Sequence, residues 1–203
     1  MTSNKSLIKK LSDSGHLKHA QIKQAMERFD RKRFIPEEFR NAAYLDMPVV
    51  IGYGATTTQP STIAFMLEHL DIKPGHKVLE IGTGSGYLTA LLSTLVGEKG
   101  RVYSVEILPE VAAFGDFNIQ KHDLNNVKTF VANGRKGLAR YAPYDRIVAS
   151  ADARRIPRAW KDQLKEGGIL ITPSRKHMVR LVKRGKFEYG RMEYPTFSFV
   201  DLK

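Results

Sequence analysis

The sequence predicts an α/β fold: a mainly parallel, doubly wound sheet with an antiparallel C-terminal edge and an N-terminal helical addition. Three observations predict it. From Pro60 to about Gly168, apolar runs of strand length alternate with stretches whose apolar residues recur at helical spacing. One run, residues 78–81, ends in the turn Gly82-Thr83-Gly84-Ser85-Gly86 and leads into Leu88, Leu91, Leu92 and Leu95 on one helical face. Beyond Gly168 the alternation stops, and two strand-like runs, 178–182 and 187–192, are joined through Arg184-Gly185-Lys186 as a hairpin.

Taken in order, residues 17–29 carry Ile22, Ala25, Met26 and Phe29 at helical spacing, which predicts a helix packed on the main body and ending before Asp30-Arg31-Lys32-Arg33. Residues 44–54, with Pro48, Gly52 and Gly54, read as a looped segment. Pro60 suits a first helical turn, where its missing N–H is not needed, and Ile63, Met66, Leu67 and Leu70 follow on one face. Residues 71–75 turn into the strand at 78–81. Residues 101–106 form the next strand, Pro109 opens a helix, 127–131 are a third strand and 144–151 a fourth. Pro157 starts a short helix that Gly167-Gly168 end, residues 169–172 are a fifth strand, and the last apolar stretch, 197–200, is expected to complete the sheet. At 203 residues the chain suffices for one well-buried domain, 1–203, divided into an N-terminal helical and loop addition (1–60) and a core (61–203).

Composition narrows the function classes. No stretch approaches the roughly 18 apolar residues of a membrane span, and Met1-Thr2-Ser3-Asn4-Lys5 lacks an apolar signal core, so the expectation is a cytoplasmic protein without a membrane partner, read as a monomer. The absence of cysteine excludes disulfides, thiolate metal sites and cysteine nucleophiles; the six histidines show no paired ligand spacing, and no metal is predicted. Net charge is +12, and residues 154–191 hold twelve Lys or Arg against three acids. A nucleic acid or other polyanion is one partner such a segment suits, and a solvated basic surface is the alternative.

The glycine turn carries the chemistry. Glycines at 82, 84 and 86 remove side chains where backbone approaches a ligand closely, and the helix start beyond them supplies outward N–H groups. The next strand ends in Glu106, a carboxylate suited to ribose hydroxyls. A dinucleotide fingerprint needs a third glycine where this chain has Tyr87. The Gly-x-Gly-x-Gly form, with Glu80 ahead and Glu106 behind, resembles the S-adenosyl-L-methionine pocket of Rossmann-like methyltransferases. That resemblance marks Glu80, Gly82, Thr83, Gly84, Ser85, Gly86, Leu88 and Glu106 for the cofactor.

From about Ala25 to Pro173 the chain resembles the protein-L-isoaspartate (D-aspartate) O-methyltransferase family. The matching segments, in the same order, are Arg33-Phe-Ile-Pro36, Ala43-Tyr-Leu-Asp46, Ile51-Gly-Tyr-Gly-Ala-Thr-Thr-Thr-Gln-Pro60, the glycine turn, Ala142-Pro-Tyr-Asp145 and Gln163-Leu-Lys-Glu-Gly-Gly168. The segment from Ile51 to Pro60 is the most specific of them. The resemblance implies methyl transfer from S-adenosyl-L-methionine to the carboxylate of isoaspartyl or D-aspartyl residues, with a damaged protein or peptide as partner. It implies that Thr56 and Thr57 touch the cofactor and that Thr58 is the catalytic, acceptor-positioning hydroxyl. Asn133 and Gly134 fall where the family contacts the adenine.

Four departures stand out. Thr58 replaces the family's serine, keeping the hydroxyl and adding a methyl that stiffens the rotamer. Asn133 replaces an acid. The small apolar run after the fourth strand becomes Ala151-Asp-Ala-Arg-Arg155, and the family's Pro-Val-Gly becomes Pro173-Ser-Arg175. Arg154 and Arg155 therefore enter as candidate substrate-binding residues, since guanidinium matches carboxylate geometry. The same changes leave open a divergent methyltransferase acting on RNA or on a normal aspartate, and a non-catalytic binding protein.

Overall fold

The computed structural model describes residues 3–195, 197 and 199–202. Two helices open the chain, α1 (Asn4–Asp13) and α2 (Ala20–Arg28). Ser3 caps α1 through a reciprocal bond with Ser6, and Leu7, Ile8 and Leu11 bury against Ile22, Ala25 and Met26. The sequence pattern locates α2 but not α1, whose apolar stripe is only those three residues among lysines and serines. Two short 3-10 turns follow, Arg31–Phe34 and Glu37–Ala42.

The segment expected to be looped is partly a hairpin. β1 (Val49–Gly52) pairs antiparallel with β2 (Ala55–Thr57), Val50 opposite Thr56, around Tyr53, whose backbone lies in the left-handed region (φ 53°). The strands are too short for an alternation to show in the sequence. α3 (Pro60–Leu70) begins on its proline as predicted.

The main body runs β3 (Lys77–Ile81), α4 (Tyr87–Val96), β4 (Arg101–Glu106), α5 (Pro109–Gln120), β5 (Val127–Val131), β6 (Tyr144–Ala149), α6 (Arg158–Gln163), β7 (Leu164–Ser174), β8 (His177–Lys183) and β9 (Tyr189–Pro195). The sheet order is β5-β4-β3-β6-β7-β8-β9, parallel through β7, with β8 and β9 antiparallel. Helices cover both faces. One apolar cluster joins α1–α4 to the sheet; the other gathers around Tyr144, Leu164 and fully buried Trp160, whose indole N–H donates to the Gly134 carbonyl at 2.7 Å.

Two sequence expectations fail here. Gly167 and Gly168 do not end the short helix. They sit inside the start of β7, where the register against β6 slips between Tyr144–Leu164 and Arg146–Ile169, and a Cβ on Gly168 would lie 2.7 Å from the Lys165 carbonyl. The stretch 197–200, of which Ser198 lies outside the described residues, does not extend the sheet. Phe197 packs on Phe65, and the chain then crosses to Asp152, whose N–H donates to the Val200 carbonyl at 2.7 Å while the Leu202 N–H donates to the Asp152 carbonyl at 2.9 Å. The C-terminal residues form a strap over the carboxyl ends of the strands. Among the described residues no helix is long and apolar enough to cross a membrane.

Candidate functional site

The chain leaves β3 toward β4 and β5 on one side and returns to β6 on the other, so the loops after β3 and β6 diverge and open a crevice at the carboxyl ends of the strands. A cavity occupies that crevice. Its floor is Gly82 and Gly84 after β3, Glu106 and Ile107 after β4, Gly134 after β5, and Ser150 and Ala151 after β6. The hairpin contributes Gly54 and Thr56, and the strap closes it with Val200, Asp201 and Leu202.

The glycine turn is fastened from below. The Gly82 and Thr83 N–H groups donate to the Val105 carbonyl at 2.8 and 3.3 Å, the Thr83 and Ser104 hydroxyls share a 2.6 Å bond, and Asn118 Nδ2 donates to the Ser85 carbonyl at 3.0 Å. α5 comes so close that a Cβ on Gly115 would sit 2.6 Å from the Gly84 carbonyl. A Cβ on Gly86 would in turn lie 2.8 Å from the Gly115 carbonyl, so this approach of helix to turn requires glycine at both 86 and 115.

Glu106 lines the cavity with three of its roughly four acceptor positions committed to the backbone. Oε2 accepts the Gly84 N–H at 3.1 Å, and Oε1 accepts the Ile107 and Leu108 N–H groups at 2.9 and 3.2 Å. A carboxylate has about four acceptor positions, so Glu106 is oriented and still able to take a ligand hydroxyl. The bare glycine backbone, the held carboxylate and apolar Ile107 and Leu108 together fit a nucleoside-bearing cofactor such as S-adenosyl-L-methionine.

A second cavity adjoins the first and shares Thr56, Ser150 and Val200 with it. Pro48, Thr58, Gln59, Thr62 and Phe199 complete its lining. No hydrogen bond from the Thr58 side chain to protein exists among the described residues, whereas Gln59 Nε2 donates to Ser61 Oγ at 3.0 Å.

The structure thus brings Thr56, Gly82, Gly84, Glu106 and Gly134 to the first cavity and Thr56 and Thr58 to the second. Other residues marked by the sequence lie elsewhere. Thr57 is buried opposite Val49, because strand alternation turns it away from its neighbour Thr56. Thr83, Ser85 and Gly86 are buried within the turn, and Leu88 joins the core. Glu80 is fully buried beneath the turn near the Thr89 and Ser104 hydroxyls; that of Thr89 donates to its Oε2 at 2.6 Å, and its Oε1 has no hydrogen bond among the described residues. Desolvation outweighs the hydroxyl bonds and pushes its pKa up to about 8. Asn133 is exposed, and its side-chain oxygen caps the following turn by accepting the Arg135 N–H at 2.9 Å.

Arg154 is turned to the strap, where its Nη2 meets Asp201 at 2.8 Å, and Arg155 is exposed; neither lines a cavity. Both belong to a small cationic cluster. The Asp152 carboxylate accepts the N–H of Arg154 at 2.6 Å and that of Arg175 at 3.1 Å, drawing the loops after β6 and β7 together. Most other cations of the basic segment are spent locally: Arg158 on Asp162, Lys165 on Asp145, Arg191 on Glu193, Arg180 on the His69 carbonyl and Lys183 on two carbonyls. Arg155, Arg175 and Lys176 have no ion pair among the described residues.

Sequence reasoning misses the strap residues Val200 and Leu202, Gln59, and Arg31, a fully buried cation that donates to the Thr58 carbonyl. Gln59 lies inside the family-specific segment and was within reach. The strap has no local signal, since its placement depends on a partner some fifty residues back in the chain.

Three comparisons bear on this arrangement. A family model described as protein-L-isoaspartate(D-aspartate) O-methyltransferase (PCMT) matches residues 2–200. The protein-L-isoaspartate O-methyltransferase of Fervidobacterium nodosum is 43% identical over 162 residues, covering 80% of this chain and 81% of the relative. That of Methanopyrus kandleri is 40% identical over 201 residues, covering 97% and 89%. Among solved structures, a Plasmodium falciparum chain described as a protein-L-isoaspartate O-methyltransferase, in complex with S-adenosyl-L-homocysteine, superposes with a TM-score of 0.90 at 25% identity, covering 100% of this chain and 99% of its own.

Proposed function

The chain belongs to the protein-L-isoaspartate (D-aspartate) O-methyltransferase family, and from that premise we propose that it transfers the methyl group of S-adenosyl-L-methionine to the carboxylate of isoaspartyl or D-aspartyl residues in damaged proteins. One observation carries the reading: a cavity suited to a nucleoside cofactor adjoins, across the shared lining of Thr56, Ser150 and Val200, a second cavity lined by Thr58 and Gln59. When bound, S-adenosyl-L-methionine supplies an electrophilic methyl group on a sulfonium centre.

The residues need little more than positioning chemistry. The acceptor carboxylate is ionised at neutral pH, so no general base has to remove a proton, and in-line attack depends on orientation and on exclusion of water. Glu106 would accept a hydroxyl of the cofactor's sugar, the bare backbone at Gly82 and Gly84 would let the cofactor approach closely, and Ile107 and Leu108 would give it an apolar surface. Thr58 and Gln59 orient the acceptor carboxylate through a hydroxyl and an amide. Val200 and Leu202 in the strap keep water from the space where the two ligands meet. Glu80 supports the turn from beneath, and Asn133 shapes the loop beside Gly134 through its cap.

On the substrate side, Arg155, Arg175 and Lys176 stand near the strap without acidic partners, which favours acceptor peptides carrying acidic neighbours. Arg154 holds the strap. A cytoplasmic monomer is part of the same reading.

The test is transfer of radiolabelled methyl to three acceptors side by side: an isoaspartyl peptide, its aspartyl counterpart and total RNA. Base-labile label on the isoaspartyl peptide alone is the expected result. Label on RNA or on the normal aspartate would mean that this fold serves another acceptor, and absence of label with retained cofactor binding would favour a binding protein.

A further inference from the structure

We infer that Arg31 is a positioning residue for methyl transfer, acting through the backbone of Thr58; this rests on the reading that Thr58 faces the acceptor. Arg31 begins the 3-10 turn Arg31–Phe34 and has no exposed surface. Its Nη1 donates to the Ala43 carbonyl at 2.8 Å and more weakly to that of Leu45 at 3.4 Å, and its Nη2 donates to the carbonyls of Met47 at 3.1 Å and Thr58 at 3.2 Å. No carboxylate forms an ion pair with it among the described residues, and burial lowers its pKa to about 10, which leaves it charged at neutrality.

A buried cation held by carbonyl dipoles and the charge of nearby Asp46, without an ion pair, is an expensive way to stabilise a fold, since an apolar residue in its place is often neutral or better. What it supplies is geometry. Residues 43–47 are irregular, and their carbonyls have no sheet to pair with. The flat guanidinium collects alternate carbonyls at 43, 45 and 47 and joins them to the carbonyl of Thr58, a fork that the single ammonium of lysine cannot copy. Between those acceptors, Asp46 Oδ1 takes the Ser61 N–H at 2.8 Å, so the same segment grips the 58–61 turn at both ends. The turn carries Thr58 and Gln59 into the second cavity. Gly82, Glu106 and Gly134 of the cofactor cavity share none of these contacts.

The separation gives the test. Arg31→Lys and Arg31→Met are compared with the unaltered protein for S-adenosyl-L-homocysteine affinity by calorimetry, which also counts binding-competent molecules, and for kcat and KM on an isoaspartyl peptide per competent molecule. The expected result is a kcat lowered roughly 10- to 100-fold, the scale of a displaced catalytic contact, with cofactor Kd within about twofold. Arg31→Lys keeps the charge and guards against a Met variant that does not fold. Adding Thr58→Val to Arg31→Lys should lower kcat by less than the product of the single effects, because both act through one residue. Unchanged kcat per competent molecule, or cofactor Kd rising in parallel with the loss of kcat, overturns the assignment. An unaltered protein that fails to methylate the peptide defeats the functional reading instead, and the two failures are thereby distinct.

Discussion

The glycine turn after β3 and the segment 43–58 opposite it are two walls of one site, held in place by different physics. The turn hangs from two in-register parallel strands, Ile81 opposite Val105, and its close contact with α5 is backbone against backbone. The opposite wall is the short hairpin of β1 and β2 with irregular chain on either side, and Arg31 and Asp46 tie those irregular ends together. Repetitive hydrogen bonding makes the first wall tolerant of losing one side chain. The irregular ends of the second have no such ladder, and their carbonyls share one guanidinium, so a single substitution there loosens several contacts at once.

The difference can be broken from within the ordered wall, at its one polar inconsistency. Buried Glu80 has its pKa raised by desolvation to about 8, against an ordinary value of 4.5. Between these values the folded state holds a proton that the unfolded chain releases, so stability falls as pH climbs from about 4.5 toward about 8 and is flat beyond, with a slope of at most about 1.4 kcal/mol per pH unit. Glu80→Gln stays neutral and can still accept the Thr89 hydroxyl. Denaturant unfolding at pH 5, 6.5 and 8 should show the variant losing less stability with rising pH than the parent; parallel curves would mean that Glu80 is ionised in place.

Glu106 sharpens the contrast, because it serves both wall and ligand. Glu106→Ala removes a carboxylate from three N–H groups and from a hydroxyl of the cofactor. Charged hydrogen bonds contribute about 1.5–3 kcal/mol each, so the Kd for S-adenosyl-L-homocysteine should rise roughly 10- to 100-fold in calorimetric titration. The strand ladder should keep the fold, with kcat at saturating cofactor affected less than affinity. An unaltered titration would remove Glu106 from the cofactor site.

Legibility followed the same division. Where apolar residues repeat at 2 or 3.6 residues, as in β3, α4, β4 and β5, the sequence pattern reached the strand ends to within a residue, and the glycines with Glu106 marked the cavity floor. Motif membership does not say which side chains a turn directs inward, and the buried Thr83, Ser85 and Leu88 carry the same motif signal as the glycines. Thr57 turns its side chain from Thr56 by a parity that a three-residue strand is too short to show in the sequence. Arg31 gave no signal at all, since a cation beside Lys32 and Arg33 reads as surface until the carbonyls around it are known. Polar contacts between segments far apart in sequence have no period, so only the folded chain reveals them.

The smallest expected effect concerns the strap, which bridges the two walls and was read as a further strand. Its main chain is pinned at Asp152, and the Arg154–Asp201 pair adds a side-chain clasp whose partners are 75% and 63% exposed. Water and salt screen such a pair, and its contribution is bounded by what exposed ion pairs give, about 0–1 kcal/mol. Arg154→Ser should therefore speed dissociation of S-adenosyl-L-homocysteine no more than about two- to fivefold at low ionic strength, with the difference shrinking as added salt shortens the screening length to a few ångströms. Rates from competitive displacement at low and high salt decide the matter. A salt-independent difference would trace the effect to the backbone turn at Arg154, where φ is 28°, and a slower release would show that the clasp holds the strap open.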